Sequence, residues 1–227
     1  MATLTVKRIV CLANSRKMAG RCVAGKEISE DGHPGNWIRP VSNREIESIS
    51  ERERCYADGN DPELLDIIEV PLLSAKPKDY QQENWLLDPS RQWRKVGRLS
   101  WDDLPSLADP ETPLWTNGFT SRGGKNDQVP VDVAAGHDTS LRLIRVEDLT
   151  VIVSEPSRPS ANFSILRGRF THCNETYCFR ITDPVSENGS INLPYAEYPV
   201  GERYLTVSLG EPFEGHAYKL IAAIIRP

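Results

Sequence analysis

Three cationic side chains near the start of the chain could bind phosphate groups. Arg16, Lys17 and Arg21 lie in the segment NSRKMAGR, between apolar runs at residues 10–13 and 22–24. A short polar segment that ends in glycine between two apolar runs is typical of a β-hairpin connection. Cations on such a loop could contact nucleic-acid phosphates, and each contact would add salt-dependent affinity.

An aromatic ring close to those cations would complete a site for single-stranded nucleic acid. Trp37 and Arg39 lie in NWIRP, which predicts a strand next to the hairpin. Proteins that bind single strands combine cationic side chains with aromatic rings on which the bases stack. The other interpretation is that the charges only solvate the surface and that Trp37 belongs to the core, because tryptophans are highly buried on average.

A second segment, residues 81–98, interleaves tryptophans with basic side chains. In QQENWLLDPSRQWRKVGR, the residues that could line a single-strand channel are Trp85, Trp93, Arg94 and Lys95. The alternative is a connection that the two tryptophans pin against a barrel with its polar groups facing outward, because a buried tryptophan removes a large apolar area from water.

The charge of the chain is unevenly distributed. The 27 Lys and Arg against 32 Asp and Glu give a net charge of −5, yet residues 1–44 hold eight basic and three acidic side chains. An acidic chain is not expected to bind polyanions over its whole surface. A local basic patch can still do so, because the electrostatic field depends on where the charges lie.

The segment GFTSRGGKN, residues 118–126, is close to a nucleotide phosphate loop but lacks two of its features. That loop needs four residues between the first glycine and Gly-Lys, followed by Ser or Thr. Five residues separate Gly118 from Gly124, and Asn126 occupies the hydroxyl position. We therefore predict no nucleotide loop, although Arg122 and Lys125 could contact a backbone phosphate.

Catalytic and metal-binding patterns are weak. His172, Cys173 and Cys178 lie on a predicted hairpin, but a structural zinc site needs four ligands and no second cysteine pair follows. No nucleophile elbow or His-Glu-x-x-His motif is present. We expect no metal, no cofactor and no catalytic residue, and we rank an enzyme acting on nucleotides or nucleic acids third among the possible functions.

Cysteine content and hydropathy predict the location. The chain has five cysteines, and its first residues resemble a strand and not a signal peptide, which favours reduced thiols in the cytoplasm. No run of about 18 apolar residues occurs, so we expect no membrane partner.

Strand patterns dominate both halves of the chain. The first half has four apolar runs that predict strands, and about five more follow residue 141; the four runs are residues 4–13, 21–28, 36–42 and 64–73. A weak helix pattern at residues 44–54 follows the third strand. Five strands with a helix after the third fit an oligonucleotide/oligosaccharide-binding (OB) barrel. We predict an all-β protein of two small OB-like β-barrels, with a Trp- and Pro-rich connection and one or two short helices.

Four segments also resemble a bacterial family described as the dual OB-containing domain: VCLANSRKMAGRCVAG, GNWIRPVS, DYQQENWLL and RFTHCNETYCFRITD. The resemblance covers nearly the whole chain. It implies two OB-like barrels, a nucleic-acid-binding role and a link to bacterial DNA-processing or conflict systems. It implies no catalytic residue.

The predicted organisation is a first barrel over residues 1–80, an elaborated connection over 81–140 packed on the barrels, and a second barrel over 141–227. The expected function is non-catalytic binding of single-stranded or structured nucleic acid. The alternative is a protein-interaction adaptor, in which barrel grooves or sheet edges receive a peptide.

Overall fold

Two compact β-rich units make up the chain. The computed structural model describes residues 5–156 and 164–227, and its contacts divide the chain into Met1–Leu107 and Ala108–Pro227. Within the described residues, the helices are three α-helices of four to six residues and one 3-10 helix, Trp101–Leu107. No helix among them is long and apolar enough to cross a membrane. The predicted all-β class is confirmed.

The first unit is a closed barrel of five strands. They are β1 (Thr5–Lys17), β2 (Gly20–Ile28), β3 (Pro34–Val41), β4 (Asp66–Ala75) and β5 (Asn84–Leu87). Their order around the barrel is β1-β2-β3-β5-β4, and β4 pairs with β1 to close it. Only the β3–β5 pairing in this ring is parallel. A short helix, α1 (Glu51–Arg54), follows β3, and a sixth strand, β6 (Arg94–Arg98), pairs with β4. This is the topology of an OB barrel.

The second unit has the same topology. After β7 (Gln128–Pro130) and α2 (Val131–Ala134), the barrel strands are β8 (Leu141–Ser154), β9 (Ile165–His172), β10 (Glu175–Ile181), β11 (Glu197–Phe213) and β12 (His216–Ile225). The order is β8-β9-β10-β12-β11, with β11 paired back to β8 and with β10 parallel to β12. Helix α3 (Pro184–Gly189) follows the third barrel strand, as α1 does in the first unit. Both predicted OB-like barrels are therefore present.

Each barrel has its own apolar core. In the first unit, β-branched and leucine side chains alternate inward and surround Trp93. In the second unit, the rings of Phe170, Tyr177 and Phe179 lie 5.3–5.5 Å apart between centroids, at the centre of a larger cluster. Burial of this apolar area is the main force that closes each sheet, at about 25 cal/mol per Å².

The unit boundaries differ from those expected from sequence. Asn84–Leu87 pairs with β3 and β4 and supplies the fifth strand of the first barrel, although residues 81–140 were assigned to a connection. The first unit accordingly ends at Leu107 and not at residue 80. The strand sequence Asn-Trp-Leu-Leu does not alternate apolar and polar residues, which is the pattern by which a half-buried strand is recognised.

The helix expected over residues 44–54 forms only at Glu51–Arg54. Ser50 precedes it, and its backbone N–H donates to Oε2 of Glu53 at 2.8 Å, which is one half of a capping box. Upstream, Ile49 exchanges two backbone hydrogen bonds of 2.9 Å with Arg21. Ile49 is therefore held by the hairpin, and a turn closed by a 3.0 Å hydrogen bond from the Glu47 N–H to the Arg44 carbonyl oxygen lies upstream, so the helix does not begin before Ser50.

Candidate nucleic-acid interface

The predicted β1–β2 hairpin places two arginines opposite each other. In its ladder, Arg16 pairs with Arg21 and Lys17 with Gly20. Side chains of directly opposed residues lie on the same face of a ladder, and like charges in that position repel.

Three lysines converge on one carboxylate close to this hairpin. Nζ of Lys76 lies 2.8 Å from Oε1 of Glu47, and Nζ of Lys78 lies 3.6 Å from Oε2. Burial alone would raise the pKa of Glu47, but the hydrogen bond from Lys76 and the charges of Lys78 and Lys17 hold it below its usual value. Cations from two separate connections therefore act on one carboxylate.

These cations come from the two connections that OB barrels use for ligands. Arg16, Lys17 and Arg21 flank the β1–β2 turn, and Lys76 and Lys78 follow β4. In OB barrels, the loops after the first and fourth strands border the surface that binds oligonucleotides. We call Arg16, Lys17, Arg21, Lys76 and Lys78 the hairpin patch.

Trp37 and Arg39 do not offer an accessible surface. Trp37 is 8% exposed, with Nζ of Lys26 5.5 Å from its ring centroid. Arg39 is 4% exposed, and its Nη2 lies 2.7 Å from Oε1 of Glu83. The expectation that Trp37 stacks a base beside Arg39 is therefore corrected, because the indole is covered and the guanidinium is ion-paired with a buried carboxylate.

Residues 81–98 are organised by packing and ion pairs, not as an open channel. Trp93 is 2% exposed within the barrel core. Half-buried Trp85 packs against that core, with Nζ of Lys7 4.5 Å from its ring centroid. On β6, Arg94 and Lys95 each face a carboxylate of β4; the Arg94 Nη2–Glu69 Oε2 distance is 2.6 Å and the Lys95 Nζ–Asp66 Oδ1 distance is 2.7 Å.

The second unit has a basic surface on its β9–β10 ladder that the sequence-based site did not include. Arg167 is opposite Arg180, and Arg169 is opposite Cys178. Alternation places these three arginines on the face opposite Phe170 and the rest of the core. Arg169 Nη1 donates to Glu197 Oε1 at 2.8 Å.

A loop over residues 117–127 adds two cations to this surface. Lys125 and Cys178 exchange backbone hydrogen bonds of 3.2 and 3.0 Å. Arg167 packs against Gly123, and its Nη2 donates to the carbonyl oxygen of Arg122 at 3.3 Å. We call the resulting set the basic face: Arg122, Lys125, Arg167, Arg169 and Arg180. Phe119, in the same loop, is 37% exposed, and a base could stack on its ring.

No metal centre is built among the described residues. They contain no group of three or more His, Cys, Asp or Glu side chains arranged to hold an ion. The ring of His172, one of the residues checked in the sequence, lies with Nε2 3.0 Å from the carbonyl oxygen of Thr112. This contact gives the His172 ring a structural role.

Comparison with known proteins agrees with the topology. Residues 7–224 match the family model described as the dual OB-containing domain. No curated protein and no solved structure matches the chain. Since the match spans nearly the full length and both units have OB strand order, the chain belongs to the dual OB-containing domain family.

Proposed function

We propose that this chain is a non-catalytic module that binds single-stranded nucleic acid. The observation that carries the proposal is that Lys76 and Lys78 of the β4–β5 connection and Lys17 of the hairpin all act on Glu47, in a chain whose net charge is −5. Positive charge gathered on the two ligand-binding loops of an OB barrel favours a phosphate-rich ligand.

The basic face of the second barrel supports the same ligand class. Its arginines can contact successive phosphates, and exposed Phe119 offers a stacking surface. Phosphate contacts and stacking are both tolerant of base identity, so we expect little sequence preference. The proposed binding surface does not include Trp37, which is covered, or Arg94 and Lys95, which are ion-paired.

The five free cysteines fit a reducing compartment, and we place the module in the cytoplasm. Its proposed setting is a bacterial DNA-processing or conflict system, as the family resemblance implies.

The test is fluorescence anisotropy with labelled single-stranded DNA, single-stranded RNA and a duplex of the same length. We expect both single strands to bind more tightly than the duplex at low salt.

The combined change Arg16→Glu, Lys17→Glu and Arg21→Glu should weaken binding at least tenfold while the chain stays folded, since it reverses three phosphate contacts. The control is Arg91→Glu with Arg94→Glu, which reverses two exposed charges outside the hairpin patch. Equal losses from both variants would contradict the assigned surface.

A protein adaptor is the second candidate, favoured by one observation. Val185, Ile191, Leu193 and Tyr195, close together in sequence, are each at least 40% exposed. Large apolar side chains gathered at a surface mark a site for a protein partner. This function predicts a co-purifying protein that is lost from the Ile191→Ser, Leu193→Ser variant, with oligonucleotide binding unchanged.

A further inference from the structure

Lys219 contacts both ends of the loop that carries Arg122 and Lys125. Its Nζ donates to the carbonyl oxygen of Thr116 at 2.9 Å and to Oδ1 of Asn117 at 3.0 Å. Its backbone N–H donates to the carbonyl oxygen of Asp127 at 2.8 Å. One residue of β12 thus fixes the beginning and the end of the loop.

The position of Lys219 is unfavourable for a lysine. The residue is 1% exposed, and its ammonium lies 5.6 Å from the ring centroid of Tyr177 and 5.9 Å from that of Phe179. Burial lowers its pKa to about 7, and the charge of Asp127 only partly opposes that shift. An apolar side chain of similar length would fill this space without the desolvation penalty of a buried charge. The ammonium is therefore better explained by its contacts with the loop than by core packing.

We propose that Lys219 is a positioning residue whose ammonium clasps the start of the loop, while its backbone N–H holds the end, and which so keeps Arg122 and Lys125 on the basic face for contact with nucleic-acid phosphates. The inference rests on the proposed function and adds a means of regulating it. Below the pKa of Lys219 the clasp has three N–H donors and a full charge. Above it, a neutral amine makes weaker hydrogen bonds with the same two oxygens.

The groups around Lys219 determine how the clasp responds to pH. The loop contributes Asp127, β10 contributes Tyr177, and β11 places Leu209 opposite Lys219 in the ladder. The turn after α2 contributes His137, whose Nε2 lies 3.3 Å from Oγ1 of Thr116. Burial, and then the charge of Lys219, lower the pKa of His137; Asp138 and Arg142 act on it with opposite signs.

Two opposite pH dependences follow. Oligonucleotide affinity should fall as pH rises from 6 to 8, because the clasp loses its charge while the phosphodiester does not titrate. The free energy of unfolding should instead rise with pH above about pH 7. A lysine whose folded pKa is lowered binds fewer protons than the unfolded chain above about pH 7, so its contribution to stability increases with pH there.

The experiment is hydrogen exchange of the full-length chain, read at loop amides such as those of Gly118 and Lys125 and normalised for intrinsic rates at each pH. We compare the wild type with Lys219→Met, which keeps the length of the side chain, and with Asn117→Ala, which removes one acceptor of the ammonium together with the Asn117 Nδ2 bond to the Tyr177 hydroxyl and leaves β12 intact. The control Arg145→Met removes one exposed charge from β8. Hydrogen exchange reports local opening of the loop. The exchange rate of the loop amides should therefore rise about tenfold in Lys219→Met, by less in Asn117→Ala and not at all in the control.

Anisotropy on the same variants completes the test. We expect Lys219→Met to bind oligonucleotide several-fold more weakly than the wild type at pH 6 and to lose the pH dependence between 6 and 8. Unchanged loop exchange in both loop variants would overturn the clasp. Faster exchange with wild-type affinity would overturn its role in binding. If the wild type binds no oligonucleotide while exchange still responds, the proposed function fails and the clasp stands.

Discussion

Arg39 and Glu83 form an ion pair in which both side chains are about 5% exposed, with 2.7 Å between Nη2 and Oε1. Arg39 also donates to Oδ1 of Asn84 at 3.4 Å. The pair joins β3 to the residue before β5, where the two strands run parallel. Because the pair links two strands of the barrel, Arg39 has a structural role although it lies in the most basic segment of the chain.

Removing one partner of this pair should destabilise the first barrel strongly. Arg39→Met leaves the Glu83 carboxylate buried without its cation, which typically costs about 3–5 kcal/mol of unfolding free energy. Urea unfolding measures the loss. The double variant Arg39→Met, Glu83→Leu should recover much of it, because neither charge is then buried. A single variant as stable as the wild type would show that the pair is not sequestered.

Glu47 should moderate the charge of the hairpin patch. Glu47→Gln removes the one carboxylate on which Lys76 and Lys78 converge, so we expect oligonucleotide affinity to rise about two- to fivefold, within the range of one partly screened charge. Anisotropy at two salt concentrations checks this. The gain should shrink at the higher salt, and a loss of affinity would contradict the placement of the patch.

The same carboxylate predicts an acid-side loss of stability. The folded pKa of Glu47 is held below its usual value, because the lysine contacts outweigh burial. Its contribution to stability is therefore present above its unfolded pKa and is lost as pH falls through the folded value. Thermal unfolding from pH 6 to pH 3 should show a smaller decrease for Glu47→Gln than for the wild type. Parallel curves would assign the acid sensitivity to other carboxylates.

Gly124 should be intolerant of a side chain. A Cβ at this position would lie 2.0 Å from Oδ2 of Asp127, whose Oδ1 accepts a 2.7 Å hydrogen bond from the backbone N–H of Ser121. Gly124→Ala should therefore distort the 117–127 loop and weaken binding to the basic face, while the barrel stays folded. Amide chemical shifts of Ser121 and Lys125 report the distortion. Gly136→Ala, where the nearest atom to a Cβ would lie at 3.4 Å, is the matched control.

Much of the fold could be predicted because its signals are local. Apolar runs, the turn near Gly20 and the turn expected at residues 174–176, which the structure has at Cys173 and Asn174, each mark strand ends within a few residues, and they predict two barrels. The boundary inside residues 81–140 could not be found this way, because β5 is only four residues long and is defined by its pairing with β3, more than 40 residues earlier.

The site was less predictable, because exposure depends on partners that are distant in sequence. The pattern NWIRP does not reveal that Glu83 would bury Arg39, nor that Trp37 would be covered. The hairpin cations are different, since a turn at the tip of two strands is exposed by its geometry. A signal for the basic face was available in LRGRF and YCFRI, where arginines occupy alternate positions opposite the aromatic core residues.

The salt dependence of single-strand binding tests the central claim most directly. Anisotropy titrations of the full chain from about 20 to 300 mM salt should give a linear fall of log affinity with log salt, with a slope of about −2 to −4 for three to five phosphate contacts. The variant Arg16→Glu, Lys17→Glu, Arg21→Glu should reduce the magnitude of that slope by about 2. Absence of binding at the lowest salt, or an identical slope in that variant, would contradict a phosphate-binding role for the hairpin patch.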